Sequence, residues 1–299
     1  MRSSILAAAA LVALWSFAAR ATETRVLAGG QPVEITRDVP YGADPSLQSL
    51  DVYRPLSSTG ALPVLIFLHG GGWSGGDKGR DPTKGAFFAR AGIIYITANY
   101  RLSPAVKHPA HAEDVARAVA WVRQNIARYG GDSSSVYLMG HSAGAHLAAL
   151  VASAPKYLQR MGVPPEIVRG AILLDGSGYD LVKRVPTSGG WIHEMLMNAF
   201  GADPSVWRDA SPLHQLSRER RPPPFLLFHV EGRQASETQA RAFADALRSV
   251  GGRAEVIPVA DRTHNSIEGR VGTAGDPVGP RTVDFIQTNQ PRQRSAGSR

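Results

Sequence analysis

Two hydrophobic rhythms alternate along this chain, one of strands and one of helices. Residues 36–39 and 48–53 alternate apolar and polar positions, as a strand with one buried face does. Residues 62–68 form a continuous apolar run flanked by Pro63 and Gly70, the pattern of a strand covered on both faces. Residues 87–91 read as the end of a helix, and 93–98 as a second fully buried strand. Over 112–129 the period becomes helical, with Val115, Val119, Val122 and Ile126 on one side, and Gly130-Gly131-Asp132 ends it. A strand at 136–139 and a small-residue helix at 143–153 follow. Further buried strands are expected at 171–174, 225–230 and 255–259, with helices at 241–250 and 283–288. Apolar strands separated by helices predict a mostly parallel sheet flanked by helices, in one α/β domain. Residues 176–221 break the rhythm. They hold short helical patches at 191–200 and 206–209 and run into Pro222-Pro223-Pro224, so they form either a small cap inserted above the sheet or a long crossover connection.

The N-terminus has a different character. Arg2 precedes an apolar stretch at 5–17, and Ala19-Arg20-Ala21 supplies the small residues signal peptidase requires. Residues 1–21 are therefore expected to be a cleaved secretory leader, leaving 22–299 as the mature domain, secreted or periplasmic. The alternative, an uncleaved anchor, suits so short a run less well. The chain has 299 residues and no cysteine, which removes thiol catalysis and cysteine-bound metals, and a domain of this length can build a core without disulfides. Its net charge of +8 is spread over the surface, apart from Arg218, Arg220 and Arg221 and the tail at 292–299. No aromatic residues interleave with these charges, so a nucleic-acid groove is not expected.

Two motifs carry chemistry. Gly140-His141-Ser142-Ala143-Gly144 follows a strand and opens a helix, the context of a nucleophile elbow. The turn is so sharp that positions two before and two after the serine must lack side chains. Ser142 would be the nucleophile, and the Ala143 amide would face a developing oxyanion. His69-Gly70-Gly71-Gly72-Trp73 follows the buried strand 62–68. Glycines there let the backbone approach a substrate closely, with the Gly71 and Gly72 amides as oxyanion donors and Trp73 a further possibility. A phosphate loop is excluded because no Gly-Lys-Ser/Thr follows. Of nine histidines, His264 follows the last strand in a short polar loop, which would bring it to the same sheet edge as Ser142, as the base. His108 and His111 lack a third ligand, so no metal is expected. His141 and His146 flank the nucleophile and would line or pack the site.

With these residues in place the chain resembles the α/β-hydrolase esterases, in particular the group of feruloyl and acetylxylan esterases, small carboxylesterases and kynurenine formamidases. The matching residues include Leu50-Asp51-Val52-Tyr53-Arg54-Pro55, His69 to Trp73 with Gly75-Gly76-Asp77-Lys78, Asn99-Tyr100-Arg101-Leu102-Ser103-Pro104, His108-Pro109-Ala110 leading to Asp114, the elbow, and the loop at His264. The resemblance implies hydrolysis of a carboxylic ester or amide through an acyl-enzyme, with no cofactor. The substrate would be a small-molecule or polysaccharide-linked ester. In such enzymes the triad acid is usually an Asp on the turn after the strand that is here 225–230. This chain reads His229-Val230-Glu231-Gly232-Arg233-Gln234 instead. Glu231 is the expected acid on chain order, with Asp175 and Glu237 as alternatives. The missing Asp also leaves open a member of the fold that binds without catalysing.

Overall fold

The structure is a computed structural model that describes residues 22–25, 31–80 and 82–291. The expected leader at 1–21 lies outside the described residues. Nine strands form a single sheet: β1 (Thr22–Arg25), β2 (Val33–Pro40), β3 (Ser49–Pro55), β4 (Leu62–Leu68), β5 (Ile94–Ala98), β6 (Gly131–His141), β7 (Val168–Leu174), β8 (Phe225–Val230) and β9 (Ala254–Val259). Their order is β1-β2-β3-β5-β4-β6-β7-β8-β9. Strands β1 to β3 pair antiparallel with one another, β3 pairs antiparallel with β5, and β5 through β9 run parallel.

Ten α-helices are described: α1 (Pro82–Arg90), α2 (Ala110–Asn125), α3 (Ala143–Ser153), α4 (Pro155–Arg160), α5 (Leu181–Thr187), α6 (Gly190–Phe200), α7 (Pro204–Ala210), α8 (Gln234–Ser249), α9 (Ser266–Gly269) and α10 (Val278–Thr288). The period-2 geometry of β4 divides its apolar run between two cores. Val64, Ile66 and Leu68 face α2, α3 and α8, where Val119, Leu150 and Phe243 are buried. Leu65 and Phe67 face the other layer, with Phe88 of α1 and Phe285 and Ile286 of α10. This two-sided burial is why 62–68 shows no polar alternation. The helix expected at 112–129 ends at Asn125 and tightens into a 3-10 turn at Ile126–Tyr129, closed by left-handed Gly130. Helix α8 begins seven residues before the expected 241. Its first two turns bury only Ser236 and Ala240, too little apolar surface to show a period.

Chain connections leave β4 toward β5 on one side and reach β6 on the other. The carboxyl ends of β4 and β6 therefore flank the crevice where open α/β sheets bind ligands. The 176–221 segment joins β7 to β8 and holds α5, α6, α7 and a 3-10 turn at Pro212–Gln215. Its Leu181, Val185, Leu196, Phe200 and Ala210 are buried in the same cluster as α2 and α3, so it roofs the sheet end without a core of its own.

Candidate active site

At the β6–α3 junction Ser142 has φ 53° and ψ −114°, a conformation a non-glycine residue adopts only when its surroundings impose it. The glycines on either side explain how. A Cβ on Gly140 would lie 2.2 Å from the Gly144 carbonyl oxygen, and one on Gly144 would lie 2.1 Å from the Leu68 oxygen at the end of β4. Only glycines let the bend close and press against the neighbouring strand. The Ser142 amide donates to the Leu174 carbonyl at 2.9 Å, which ties the elbow to β7.

His264 lies in the loop between β9 and α9. Its Nε2 is 3.0 Å from the Ser142 Oγ. Its Nδ1 is 2.6 Å from Oδ2 of Asp175. A carboxylate only accepts, so Nδ1 carries the proton and donates, leaving Nε2 to accept from the Ser142 hydroxyl. Chain order is serine, acid, histidine, as expected.

The expected acid, Glu231, is not the partner. Its amide donates to the Val259 carbonyl in the β8–β9 register, and its side chain is exposed. Glu237 sits on α8, paired with Arg241 at 2.9 Å. Asp175, one of the two alternatives, follows β7 with φ 47°, and its carboxylate is fully buried. That carboxylate leans across the β7–β8 seam. Oδ1 accepts from the Val230 amide at 3.1 Å, and Oδ2 accepts from Arg233 Nη1 at 2.5 Å as well as from His264. The acid thus reaches the end of β8 from the adjacent strand, and Arg233 stands on the turn where the resemblance led an acid to be expected. Burial alone would raise the Asp175 pKa. Hydrogen bonds from His264, Ser236 and the Val230 amide, with the Arg233 charge, reverse this and hold it at about 2. One partial signal was present in the sequence: an aspartate directly after a fully apolar strand suggests a buried carboxylate that requires donors, without showing which donors meet it.

The β4–α1 loop supplies the amides. Gly71, Gly72 and Trp73 have φ of 111°, 60° and 59°. A Cβ on Gly71 would meet the Gly75 oxygen at 2.2 Å, so that position must be glycine. A Cβ on Gly70 would sit 3.3 Å from the Ser142 Cβ, which measures how closely the loop lies along the elbow. Neither the Gly71 nor the Gly72 amide donates a hydrogen bond within the described residues, and the Ala143 amide opens α3 with no carbonyl one turn earlier. The loop is braced from behind. Trp73 Nε1 donates to His146 Nδ1 at 3.3 Å, and His146 Nε2 donates to the Ala210 carbonyl at 2.8 Å. Burial pushes the His146 pKa down to about 3, so the ring stays neutral, as these two bonds require. Tyr100 donates to the His69 carbonyl at 2.9 Å and stacks on the His69 ring, which makes His69 structural.

Other motif residues hold this frame. Arg101 forks onto buried Asp114 at 2.8 and 2.7 Å. Lys78 binds Asp51 at 2.6 Å, and Asn99 binds Asp77 at 2.9 Å. His141 Nε2 donates to the His264 carbonyl at 2.6 Å and so fixes the loop that carries the base. Burial, then the neighbouring His264 charge, lowers its pKa to about 4. His108 and His111 bind Asp209 and Ser103 respectively, at 3.0 and 3.1 Å, so the two rings serve separate partners. A cavity of about 720 Å³ opens over Ser142, lined by Gly71, Gly72 and His264 and by Arg184, Trp191 and Met195 of the 176–221 segment.

The BD-FAE family model matches residues 50–247, which carry the elbow, the glycine loop and Asp175. The chain belongs to the BD-FAE family. Esterase LipQ of Mycobacterium tuberculosis is 33% identical over 269 residues, covering 84% of this chain and 62% of that protein. The isoprenylcysteine alpha-carbonyl methylesterase ICME of Arabidopsis thaliana is 29% identical, covering 78% of this chain and 57% of its own length. This BD-FAE chain therefore spans little more than half the length of the curated relatives it matches. Among solved structures, a truncated carbohydrate esterase from gut microbiota superposes with a TM-score of 0.72 at 20% identity, covering 85% of this chain and 95% of that one. A hyperthermophilic esterase from the archaeon Pyrobaculum calidifontis gives 0.66 at 23% identity, covering 90% and 85%. Both share the α/β-hydrolase fold with this BD-FAE member.

Proposed function

We propose that this chain is a serine hydrolase that cleaves carboxylic esters through an acyl-enzyme. One observation carries the reading: a single imidazole bridges Ser142 Oγ at 3.0 Å and a buried carboxylate at 2.6 Å. Ser142 Oγ attacks the ester carbonyl while His264 Nε2 takes its proton. The negative charge that develops on the carbonyl oxygen is held by the Gly71, Gly72 and Ala143 amides, and Asp175 stabilises the imidazolium. His264 then protonates the departing alkoxide. Water then attacks the acyl carbonyl as His264 takes one of its protons; the bond to Ser142 Oγ breaks, His264 returns the proton to Oγ, and the acyl group leaves as a carboxylic acid.

The reading of a non-catalytic binder rested on a missing acid, and Asp175 supplies one. The expected outcome of Ser142→Ala is loss of hydrolysis of short 4-nitrophenyl esters together with loss of fluorophosphonate labelling. Undiminished turnover in that variant would falsify the assignment. A polysaccharide-linked ester is supported by Trp191, which is 71% exposed at the cavity rim where a sugar or aromatic ring can stack. Export is supported by the pattern of residues 1–21 alone, and a mature N-terminus at Thr22 in the exported protein is its test. Among the described residues no helix is long and apolar enough to cross a membrane.

A further inference from the structure

Four cationic side chains line the cavity over Ser142: Lys78, Lys84, Arg184 and Arg233. Three are neutralised where they stand. Lys78 is paired with Asp51, Lys84 with Glu268, and Arg233 with Asp175. Arg184, in the last turn of α5, ion-pairs with no carboxylate among the described residues. It is partly buried, and both that burial and the nearby Arg233 charge lower its pKa, so the fold holds a positive charge there against its electrostatic interest. A cation that only complemented the end of α5 would be satisfied pointing into water. This one faces the cavity. Glu194 of α6 also lines the cavity and is exposed, but among the described residues no ion pair joins it to Arg184. On the same wall stands Trp191, 71% exposed.

We propose that the cavity selects esters bearing a second, unreacted carboxylate, which seats on Arg184 while the body of the substrate lies against Trp191. The inference rests on the esterase reading above and narrows its substrate class to anionic esters. The carboxylate can belong to the acyl half or to the alcohol half, and two substrate pairs separate these sources. Mono-4-nitrophenyl adipate against 4-nitrophenyl hexanoate tests the acyl half. The butyrate ester of 4-hydroxybenzoate against that of 4-hydroxybenzamide tests the alcohol half.

The readout is the ratio of kcat/KM, charged over neutral, in wild type and in Arg184→Gln, so that intrinsic reactivities cancel. A charge-assisted pair in a partly desolvated site predicts that Arg184→Gln lowers the ratio about 10- to 100-fold in one of the two pairs. Most of the change should lie in KM, and it should shrink as salt is raised. Arg184→Glu should lower the ratio further. Melting curves of both variants establish that they are folded. A ratio that stays within about twofold of wild type in both pairs, for both variants, overturns the inference. If wild type turns over none of the four esters, the hydrolase reading itself fails and the inference falls with it. Turnover with unchanged ratios removes only the anionic preference.

Discussion

Replacing Asp175 by Asn separates the observed triad from the one expected by chain order. The amide has the shape of the carboxylate but not its charge. It can also turn its NH2 toward His264 Nδ1, which forces the proton onto Nε2 and takes away the acceptor that Ser142 needs 3.0 Å away. In enzymes with this triad that change lowers kcat by about 10⁴-fold, equivalent to about 5.5 kcal/mol at 1.36 kcal/mol per decade. A second cost falls on stability. The carboxylate is held at about 2 rather than 3.8, so it contributes stability that is present above pH 4 and lost as pH falls toward 2. At neutral pH this amounts to roughly 2 kcal/mol. The assay is therefore steady-state hydrolysis of 4-nitrophenyl butyrate at pH 7.5, well below the melting temperature of the variant, with Glu231→Gln in parallel. Glu231 is exposed and should change kcat by no more than about twofold, as surface substitutions do. The reasoning is refuted if Asp175→Asn retains more than a tenth of wild-type kcat while Glu231→Gln loses most of it.

Three further outcomes follow from the packing. Gly144→Ala sets a methyl 2.1 Å from the Leu68 oxygen and should yield insoluble or inactive protein; soluble protein with normal kcat would show that the elbow is not as tight as drawn. Acidification should destabilise the fold. His141, His146 and His111 are buried with pKa values near 4, 3 and 4, below the ordinary 6.5, so the unfolded chain binds more protons and stability falls as pH drops from about 6.5 toward 4. Each contributes up to about 1.4 kcal/mol per pH unit, and a melting temperature constant between pH 7 and 5 would contradict this. Arg101→Ala removes the only cation paired with the fully buried Asp114 carboxylate among the described residues, leaving it the Gln48 amide and the residue-101 backbone amide, and should lower unfolding stability by about 3 kcal/mol in urea titrations; a loss under 1 kcal/mol would show that the pair is dispensable.

Much of the fold was legible because each central strand is covered on both faces and so appears as an apolar run; 62–68, 93–98 and 225–230 differ from β4, β5 and β8 by at most a residue. The elbow at Ser142 was equally plain. Gly140 and Gly144 are dictated by contacts that no other residue permits, and their spacing survives in the sequence as a string. His264 could be placed from its position after the last strand. The acid could not, because it depends on a lateral relation. Asp175 and Val230 are 55 residues apart and meet only through the β7–β8 pairing, and nothing along the chain records that a carboxylate on one strand reaches the end of the next. Arg233, a cation on the turn expected to hold the acid, becomes intelligible only in the fold, where it pairs with Asp175. The first turns of α8 escaped notice for a simpler reason: Ser236 and Ala240 bury too little apolar surface to set a rhythm.

The central claim is that Ser142 becomes covalently acylated. Acid-quenching the protein during turnover of a slow ester, then digesting it and mapping the peptides by mass, tests this most directly. The account predicts the mass of one acyl group on the peptide containing Ser142, appearing faster than steady-state turnover and absent from Ser142→Ala. An acyl group on any other residue, or turnover at the wild-type rate with no acylated peptide, would contradict it.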